Sequence, residues 1–103
     1  MAVVYGILSE AFYGSGSRAK AEQLADRVAQ DFRKQPGFRS ATYFESDENN
    51  GEYGALVVWD TKEAAQAALG VVGPHWGRWR EELGLKPVSP GKVEIVGIYE
   101  PNA

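Results

Sequence analysis

The spacing of hydrophobic residues changes along this chain, and each change marks the start of a new predicted element. Residues 2–12 are rich in β-branched and aromatic side chains, which predicts a first strand. From Arg18 to about Lys34 the apolar residues recur every three or four positions, which is typical of an amphipathic helix. The members of this apolar stripe are Ala21, Leu24, Ala25, Val28 and Phe32. Ser17 is in the N-cap position, and Pro36-Gly37 ends the helix.

The middle of the chain predicts a hairpin followed by a capped helix. Asn50-Gly51 suits a type I′ turn, because both central residues of that turn need a positive φ. Strands are therefore predicted over 38–46 and 52–59. Asp60 lies three residues before Glu63, which is capping-box spacing, and an Ala-rich helix is predicted over 61–69.

The C-terminal third predicts a second, shorter helix and a last strand. Gly73-Pro74 is expected to open this helix, with the proline in the first turn, and Gly84 is expected to stop it. Residues 86–91 form a turn-rich connector, and 92–100 form the strand. The resulting order, β-α-β-β-α-(α)-β, is the ferredoxin-like α+β arrangement in a single domain over 1–103.

The predicted strands are apolar on both faces. In the first strand Val3, Tyr5 and Ile7 have one parity, and Val4 and Leu8 have the other. An antiparallel sheet with one face in water should instead alternate apolar with polar residues. Helices cover one face in this topology, so we expect a second copy of the chain to cover the other.

Composition excludes several classes of protein. The chain has 103 residues, 44% of them hydrophobic, and a net charge of −3, which indicates one folded domain and no nucleic-acid partner. Without cysteines, the chain has neither a disulfide framework nor a thiol nucleophile. No apolar run reaches membrane-spanning length, and the N-terminal sequence lacks the basic start of a signal peptide. A cytoplasmic protein with no membrane association is expected.

Three segments resemble one family. Pro36-Gly37-Phe38, Val58-Trp59-Asp60 and Lys62-Glu63-Ala64, placed around the hairpin, are similar to the antibiotic biosynthesis monooxygenases of the dimeric α+β barrel superfamily. The resemblance implies a homodimer with its two sheets packed face to face, and a pocket in each subunit between sheet and helices. It also implies one of three functions, because relatives oxygenate aromatic polyketides without metal or flavin, cleave haem, or have no known activity.

The resemblance therefore predicts a cofactor-independent monooxygenase acting on a small aromatic molecule, polyketide- or quinol-like. His75, the only histidine, is the predicted base or proton shuttle, since imidazole titrates near neutral pH. The predicted substrate-binding residues are Trp76 and Trp79 as a wall, Tyr43 and Tyr53 as phenolic donors, and Arg78 as partner of a ligand carboxylate. Each has a purely structural interpretation as well: a half-exposed helix residue, core tryptophans, strand tyrosines and a solvated arginine. Trp59 is predicted to be structural.

The same residues give less support to other functions. Haem-cleaving relatives pair a first-strand Asn with a Trp and a His, and residues 2–12 contain no Asn. Haem held by His75 and a non-catalytic dimeric ligand-binding module remain as alternatives, and no cofactor or metal is predicted for the oxygenase. The G-x-G-x-x-A sequence over 14–19 lacks the βαβ context of a dinucleotide site. Residues 51–58 lack the stacking aromatics of an RNA-recognition module.

Overall fold

The computed structural model describes residues 2–47 and 49–100, in the element order β-α-β-β-α-β. The strands are β1 (Ala2–Phe12), β2 (Phe38–Asp47), β3 (Glu52–Trp59) and β4 (Ser89–Glu100), and the helices are α1 (Arg18–Arg33) and α2 (Lys62–Glu82). This is the ferredoxin-like α+β arrangement that the hydrophobic pattern predicted.

The four strands form one antiparallel sheet in the order β2-β3-β1-β4. In its centre Ile7 of β1 is opposite Val57 of β3 and Ile95 of β4, so these three side chains share one face. Both helices pack on that face. Because β3 separates β2 from β1, the described strands include no adjacent parallel pair of the kind a dinucleotide fold needs.

The core lies between this sheet face and the two helices. Trp59 is fully buried at its centre, and the rings of Phe32 and Phe38 meet it edge-on at centroid distances of 5.6 and 5.7 Å. Such edge-to-face contacts suit the quadrupoles of the rings. Leu24, Val28 and Phe32 are the buried residues of α1, which confirms the predicted helical stripe. Trp59 has the structural position that was predicted for it.

The region after the hairpin forms one helix, not the two that were predicted. α2 is continuous from Lys62 to Glu82, and Pro74 lies inside it. Pro74 is exposed, so the helix carbonyl that has lost its N–H partner faces water. In the described part of the chain, neither helix has the length and apolar character needed to cross a membrane.

The N-cap of α2 and the start of β4 differ from prediction, while the predicted N-cap position of α1 is confirmed. The N-cap of α2 is Thr61, whose hydroxyl accepts from the Ala64 N–H at 3.1 Å, and not Asp60. Ser17 occupies the N-cap position of α1 but makes no side-chain capping bond there. β4 begins at Ser89 and includes Pro90, which an edge strand tolerates because one side of its backbone needs no partner.

The sheet face turned away from the helices is apolar, and we call it the open sheet face. Its apolar residues are Val4, Leu8, Phe44, Leu56, Val58, Val96 and Ile98, and the polar residues Ser40, Thr42 and Glu94 lie on the same face. Leu56 and Ile98 close over Gly6, where an added Cβ would lie 2.7 and 2.8 Å from their Cδ1 atoms. Phe44 lies across Gly54 in the same way. The two-sided apolar pattern of the sequence is therefore present in the structure.

Candidate functional site

A cavity of about 280 Å³ lies between α1 and the helix-facing side of β1, β2 and β3. The two-residue period of the strands puts facing residues of neighbouring strands on one wall, as in the pairs Ser9–Ala55 and Glu45–Tyr53. The helical wall begins with the small side chains of Ala21 and Ala25. The lining residues are Ser9, Ala11, Tyr13, Arg18, Ala21, Glu22, Leu24, Ala25, Val28, Tyr43, Phe44, Glu45, Tyr53, Gly54, Ala55 and Trp76. The wall is thus mainly small and aromatic.

Two polar atoms in this lining are buried without a hydrogen-bond partner among the described residues. They are the phenol oxygen of Tyr43 and the Oε2 atom of Glu45. A buried polar group left unpaired costs free energy, so such atoms in a cavity wall are suited to contact a ligand. The third such atom, the Trp59 indole nitrogen, belongs to the core.

The phenol of Tyr43 is held in its neutral form. Burial raises the pKa of Tyr43 to about 12, because the phenolate would lose its hydration. The Arg33 guanidinium opposes this rise in pKa, and the Asp26 carboxylate adds to it. At neutral pH Tyr43 is therefore a hydrogen-bond donor on the cavity wall.

Arg18, at the start of α1, orients the carboxylate of Glu45. The Arg18 Nε donates to Glu22 Oε1 at 3.2 Å and lies 3.1 Å from Glu45 Oε1, with which it forms an ion pair. The side chain of Glu45 is 25% exposed, while that of Glu22 is 67% exposed. The ion pair holds one oxygen of Glu45, and the other oxygen is buried without a hydrogen-bond partner among the described residues.

The Gly-rich loop between β1 and α1 closes one end of the site. Gly14 and Gly16 both have φ near +80°, and the Ser17 hydroxyl donates to the Gly14 carbonyl at 2.7 Å. The same hydroxyl lies 3.3 Å from the Tyr53 phenol oxygen. The loop therefore positions Tyr53 and is part of the cavity's frame.

A second cavity, of about 430 Å³, lies on the other side of Trp76. Ala11, Tyr13 and Trp76 line both cavities and so form the partition between them. Burial raises the pKa of the Tyr13 phenol, and hydrogen bonds from Arg80 and Trp76 oppose the rise. These contacts hold the partition in place.

The cavity contains three of the six predicted site residues: Tyr43, Tyr53 and Trp76. His75 lies between the helices, where its Nδ1 is 2.7 Å from Asp31 Oδ2. Trp79 packs against the core with its ring 5.7 Å from that of His75, and Arg78 is exposed. His75, Trp79 and Arg78 line neither cavity. The catalytic role predicted for His75 stays a prediction.

Tyr13, Arg18 and Glu45 line the cavity but were not among the predicted site residues. Glu45 could have been found by parity, because it lies two residues after Tyr43 on the same strand and so on the same face. Arg18 gives no such signal, since its contact with Glu45 depends on how α1 crosses the sheet. Within residues 2–47 and 49–100, no three His, Cys, Asp or Glu side chains form a metal-binding group.

Comparisons with known proteins give one family and several structural neighbours. One structural neighbour is SnoaB, described as a cofactor-independent oxygenase from Streptomyces nogalater, whose sequence is 21% identical to this chain. The superposition covers 100% of this chain and 97% of SnoaB, with a TM-score of 0.66. A monooxygenase from the gene ActVA-Orf6 of Streptomyces coelicolor, in complex with nanaomycin D, is 25% identical; 99% of this chain and 90% of that one are covered, with a TM-score of 0.66. A Nitrosomonas europaea protein is 16% identical, with 97% and 94% covered and a TM-score of 0.75.

No curated protein matches the chain. The sequence pattern of one family, described as antibiotic biosynthesis monooxygenase, matches residues 14–82, which include α1, the hairpin and α2. The matched residues also include most of the cavity lining. The chain therefore belongs to the antibiotic biosynthesis monooxygenase family.

Proposed function

We propose that this protein is a cofactor-independent monooxygenase that oxidises a small, electron-rich aromatic molecule in the cavity between α1 and the sheet. The observation that carries the proposal is the cavity itself: about 280 Å³, walled by Tyr53 and Trp76, with the unpartnered Tyr43 phenol in its lining. Aromatic walls with one or two placed polar groups are typical of small-molecule sites. Family membership and the description of SnoaB as a cofactor-independent oxygenase support the reaction class.

The proposed reaction needs only the substrate and dioxygen. An anthrone-like substrate has an acidic CH₂ group para to a carbonyl across its central ring. Loss of one proton gives a carbanion delocalised onto that carbonyl, and the carbanion reduces dioxygen. One oxygen atom becomes the new carbonyl and the other leaves as water, so that R₂CH₂ + O₂ gives R₂C=O + H₂O. The protein supplies desolvation, orientation and a proton acceptor.

The wall residues have separate parts in this proposal. Tyr53 and Trp76 pack against the aromatic faces of the substrate. Tyr43 donates to the substrate carbonyl, where negative charge develops as the proton leaves. The binding of nanaomycin D by the Streptomyces coelicolor monooxygenase supports a polycyclic quinone-like class of ligand.

Haem does not suit the arrangement around His75. The imidazole is paired with Asp31, and neither of the two cavities is lined by His75. A haem ligand must face a cleft that admits the porphyrin. Haem is therefore not part of the proposed reaction.

We further propose that two chains pair through the open sheet face. Leu8, Leu56, Val58, Val96 and Ile98 give this face an apolar surface that α1 and α2 do not cover. Exposed apolar patches of this kind are typical of subunit interfaces. The sheets of the two subunits would then pack face to face, as the family resemblance implies.

The proposed role of the cavity as the substrate site can be tested with a substitution that fills it. Anthrone, incubated with the protein in buffer containing a metal chelator, should consume one dioxygen per anthraquinone formed, measured with an oxygen electrode and by absorbance. Ala25→Phe places a ring in the cavity and should lower kcat/KM by at least about tenfold, since about 1.4 kcal/mol of lost binding is tenfold. Ala67→Phe, on the exposed side of α2, is the matched control and should change kcat/KM little. Equal activity of the two variants would place the reaction elsewhere.

A further inference from the structure

Of the two carboxylates in the cavity lining, Glu22 and Glu45, Glu45 is the more buried, with 25% of its side chain exposed against 67%. Its Oε1 lies 3.1 Å from the Arg18 Nε in an ion pair, while its Oε2 is buried with no hydrogen-bond partner among the described residues. An ionised carboxylate oxygen only accepts, so the group that completes this site must bring a proton. Arg18 limits the rotation of the carboxylate and thereby directs Oε2.

Tyr43 gives this carboxylate a complementary neighbour. The two residues are separated by one position on β2, so their Cβ atoms are about 7 Å apart on the same sheet face. With its pKa raised to about 12, the Tyr43 phenol stays protonated and donates. The wall thus offers one donor and one acceptor, both unpaired. In an anthrone-like molecule, the carbonyl oxygen and the acidic CH₂ lie on opposite sides of the central ring, which matches a donor and an acceptor set apart in this way.

We infer that Glu45 is the catalytic base of this site, an inference that rests on the proposed oxygenase function. Glu45 Oε2 takes a proton from the substrate CH₂, the C–H electron pair moves into the ring system, and Tyr43 donates to the resulting enolate oxygen. The carbanion then binds dioxygen to give a peroxide anion, which takes the proton back from Glu45. A second proton transfer from the same carbon to Glu45 breaks the O–O bond, and the released hydroxide leaves as water with that proton. The electrons given up by carbon reduce dioxygen, so no other reductant is needed.

His75 is the competing base, and its position differs from that of Glu45 in one respect that matters. Its Nδ1 is paired with Asp31 at the interface of the two helices, and its ring lines neither cavity. A general base must reach the proton that it removes, directly or through one water. Glu45, unlike His75, is a residue of the cavity lining.

The experiment separates proton removal from oxygen chemistry. Anthrone is incubated without oxygen in deuterated buffer, and deuterium entering its CH₂ group is followed by NMR for wild type, Glu45→Gln, Glu45→Asp and His75→Gln. Wild type should accelerate exchange above the buffer rate. Glu45→Gln should lose at least about 100-fold of that acceleration, the size expected for one base, and Glu45→Asp should restore part of it. Glu81→Gln, an exposed carboxylate on α2, is the matched control.

Two further readouts distinguish a base from a binding residue. Anthraquinone, which has no acidic C–H, should quench tryptophan fluorescence with a dissociation constant within about threefold of wild type in Glu45→Gln. In oxygen, Glu45→Gln should lower kcat while changing the KM for anthrone little, because a base acts in the transition state and not in substrate binding. A melting curve checks that the loss of the Arg18 contact has not unfolded the variant.

Each outcome decides one question. Full exchange in Glu45→Gln, or its loss only in His75→Gln, overturns the inference. If both Glu45 variants lose anthraquinone affinity and their deuterium exchange falls by the same factor, Glu45 is a binding residue, and the inference that it is the base is overturned. Wild-type oxygen uptake without accelerated exchange overturns the inference while the oxygenase proposal stands. Accelerated exchange that depends on Glu45, without oxygen uptake, supports Glu45 as the base and overturns the oxygenase proposal.

Discussion

At the scale of single residues, Tyr43 is the group whose ionisation the fold changes most clearly. Burial raises its pKa to about 12 from an ordinary value of 10.0. In spectrophotometric titration we expect one phenol to ionise well above pH 11, and Tyr43→Phe should remove this late phase. Tyr99→Phe, at an exposed strand position, should leave the late phase unchanged. Loss of the phase in Tyr99→Phe and its retention in Tyr43→Phe would contradict the assignment.

The same shift in pKa has a consequence for stability. A group with a raised pKa in the folded state stabilises the fold below its unfolded pKa, and this contribution is lost as pH rises through the folded value. For Tyr43 the window is therefore about pH 10 to 12. Across it, the free energy of unfolding should fall more for wild type than for Tyr43→Phe, as measured by urea denaturation at several pH values. A larger fall in Tyr43→Phe would contradict the sign.

Some of the site's residues could be predicted from the sequence, and others could not. Tyr43, Tyr53 and Trp76 are large aromatic residues on elements that bound the pocket of this fold, so residue type and family pattern were enough. Which parity of β2 faces the helices was not decidable from the sequence, so Glu45 was not predicted as a site residue, although it shares the parity of the predicted Tyr43. His75 was predicted to be catalytic from its residue type. Its contact with Asp31 could not be predicted, because that contact depends on how the two helices cross.

At the scale of elements, the two strands of the hairpin were predicted, but the type I′ turn was wrong, because Asn50 does not have the positive φ that this turn needs. β3 runs over Glu52–Trp59 as expected, and Gly51 has φ +66°. Gly51 also packs against the β1–α1 loop: the Tyr13 N–H donates to the Gly51 carbonyl at 2.9 Å, and an added Cβ would overlap the Gly14 carbonyl. The turn therefore fixes the loop as well as the hairpin.

This double role of the turn predicts a difference between two glycine substitutions. Gly16 also has a positive φ, at +80°, but nothing lies within 4 Å of an added Cβ there. Gly16→Ala should thus cost only the backbone penalty, about 1–2 kcal/mol of unfolding free energy. Gly51→Ala adds a backbone overlap and should cost clearly more, above about 3 kcal/mol. Chemical denaturation measures both, and equal losses would show that the loop moves away freely.

The helix that was divided in two illustrates the limit of local signals. Gly73-Pro74 has low helix propensity and was interpreted as a break. In the structure, Ala65, Ala68 and Val72 are buried on one face of α2, and Trp76 continues that face beyond the proline. Burial of this continuous apolar face outweighs the hydrogen bond lost at Pro74, which lies on the exposed side. Only the tertiary packing shows this.

At the scale of the whole molecule, the two faces of the sheet differ in whether the helices cover them. α1 and α2 cover one face and enclose the cavity, while the open sheet face keeps an apolar surface that the two helices do not cover. The sequence predicted this division, since period-two alternation was missing from the strands. The cavity's volume was not predictable, because it depends on the gap that small residues such as Ala21 and Ala25 leave under α1.

The proposed homodimer can be tested with a substitution in the open sheet face. Leu56 packs with Ile98 over Gly6 in the middle of the open sheet face, so Leu56→Lys would place a charge at the centre of the interface. Wild type at micromolar concentration should sediment with twice the 11.3 kDa chain mass, and Leu56→Lys should sediment as a monomer, because burying an unpaired ammonium costs several kcal/mol. Val71→Lys, at a 46% exposed position on α2, should remain a dimer. A wild-type monomer, or a Leu56→Lys dimer, would show that two copies do not meet through this face.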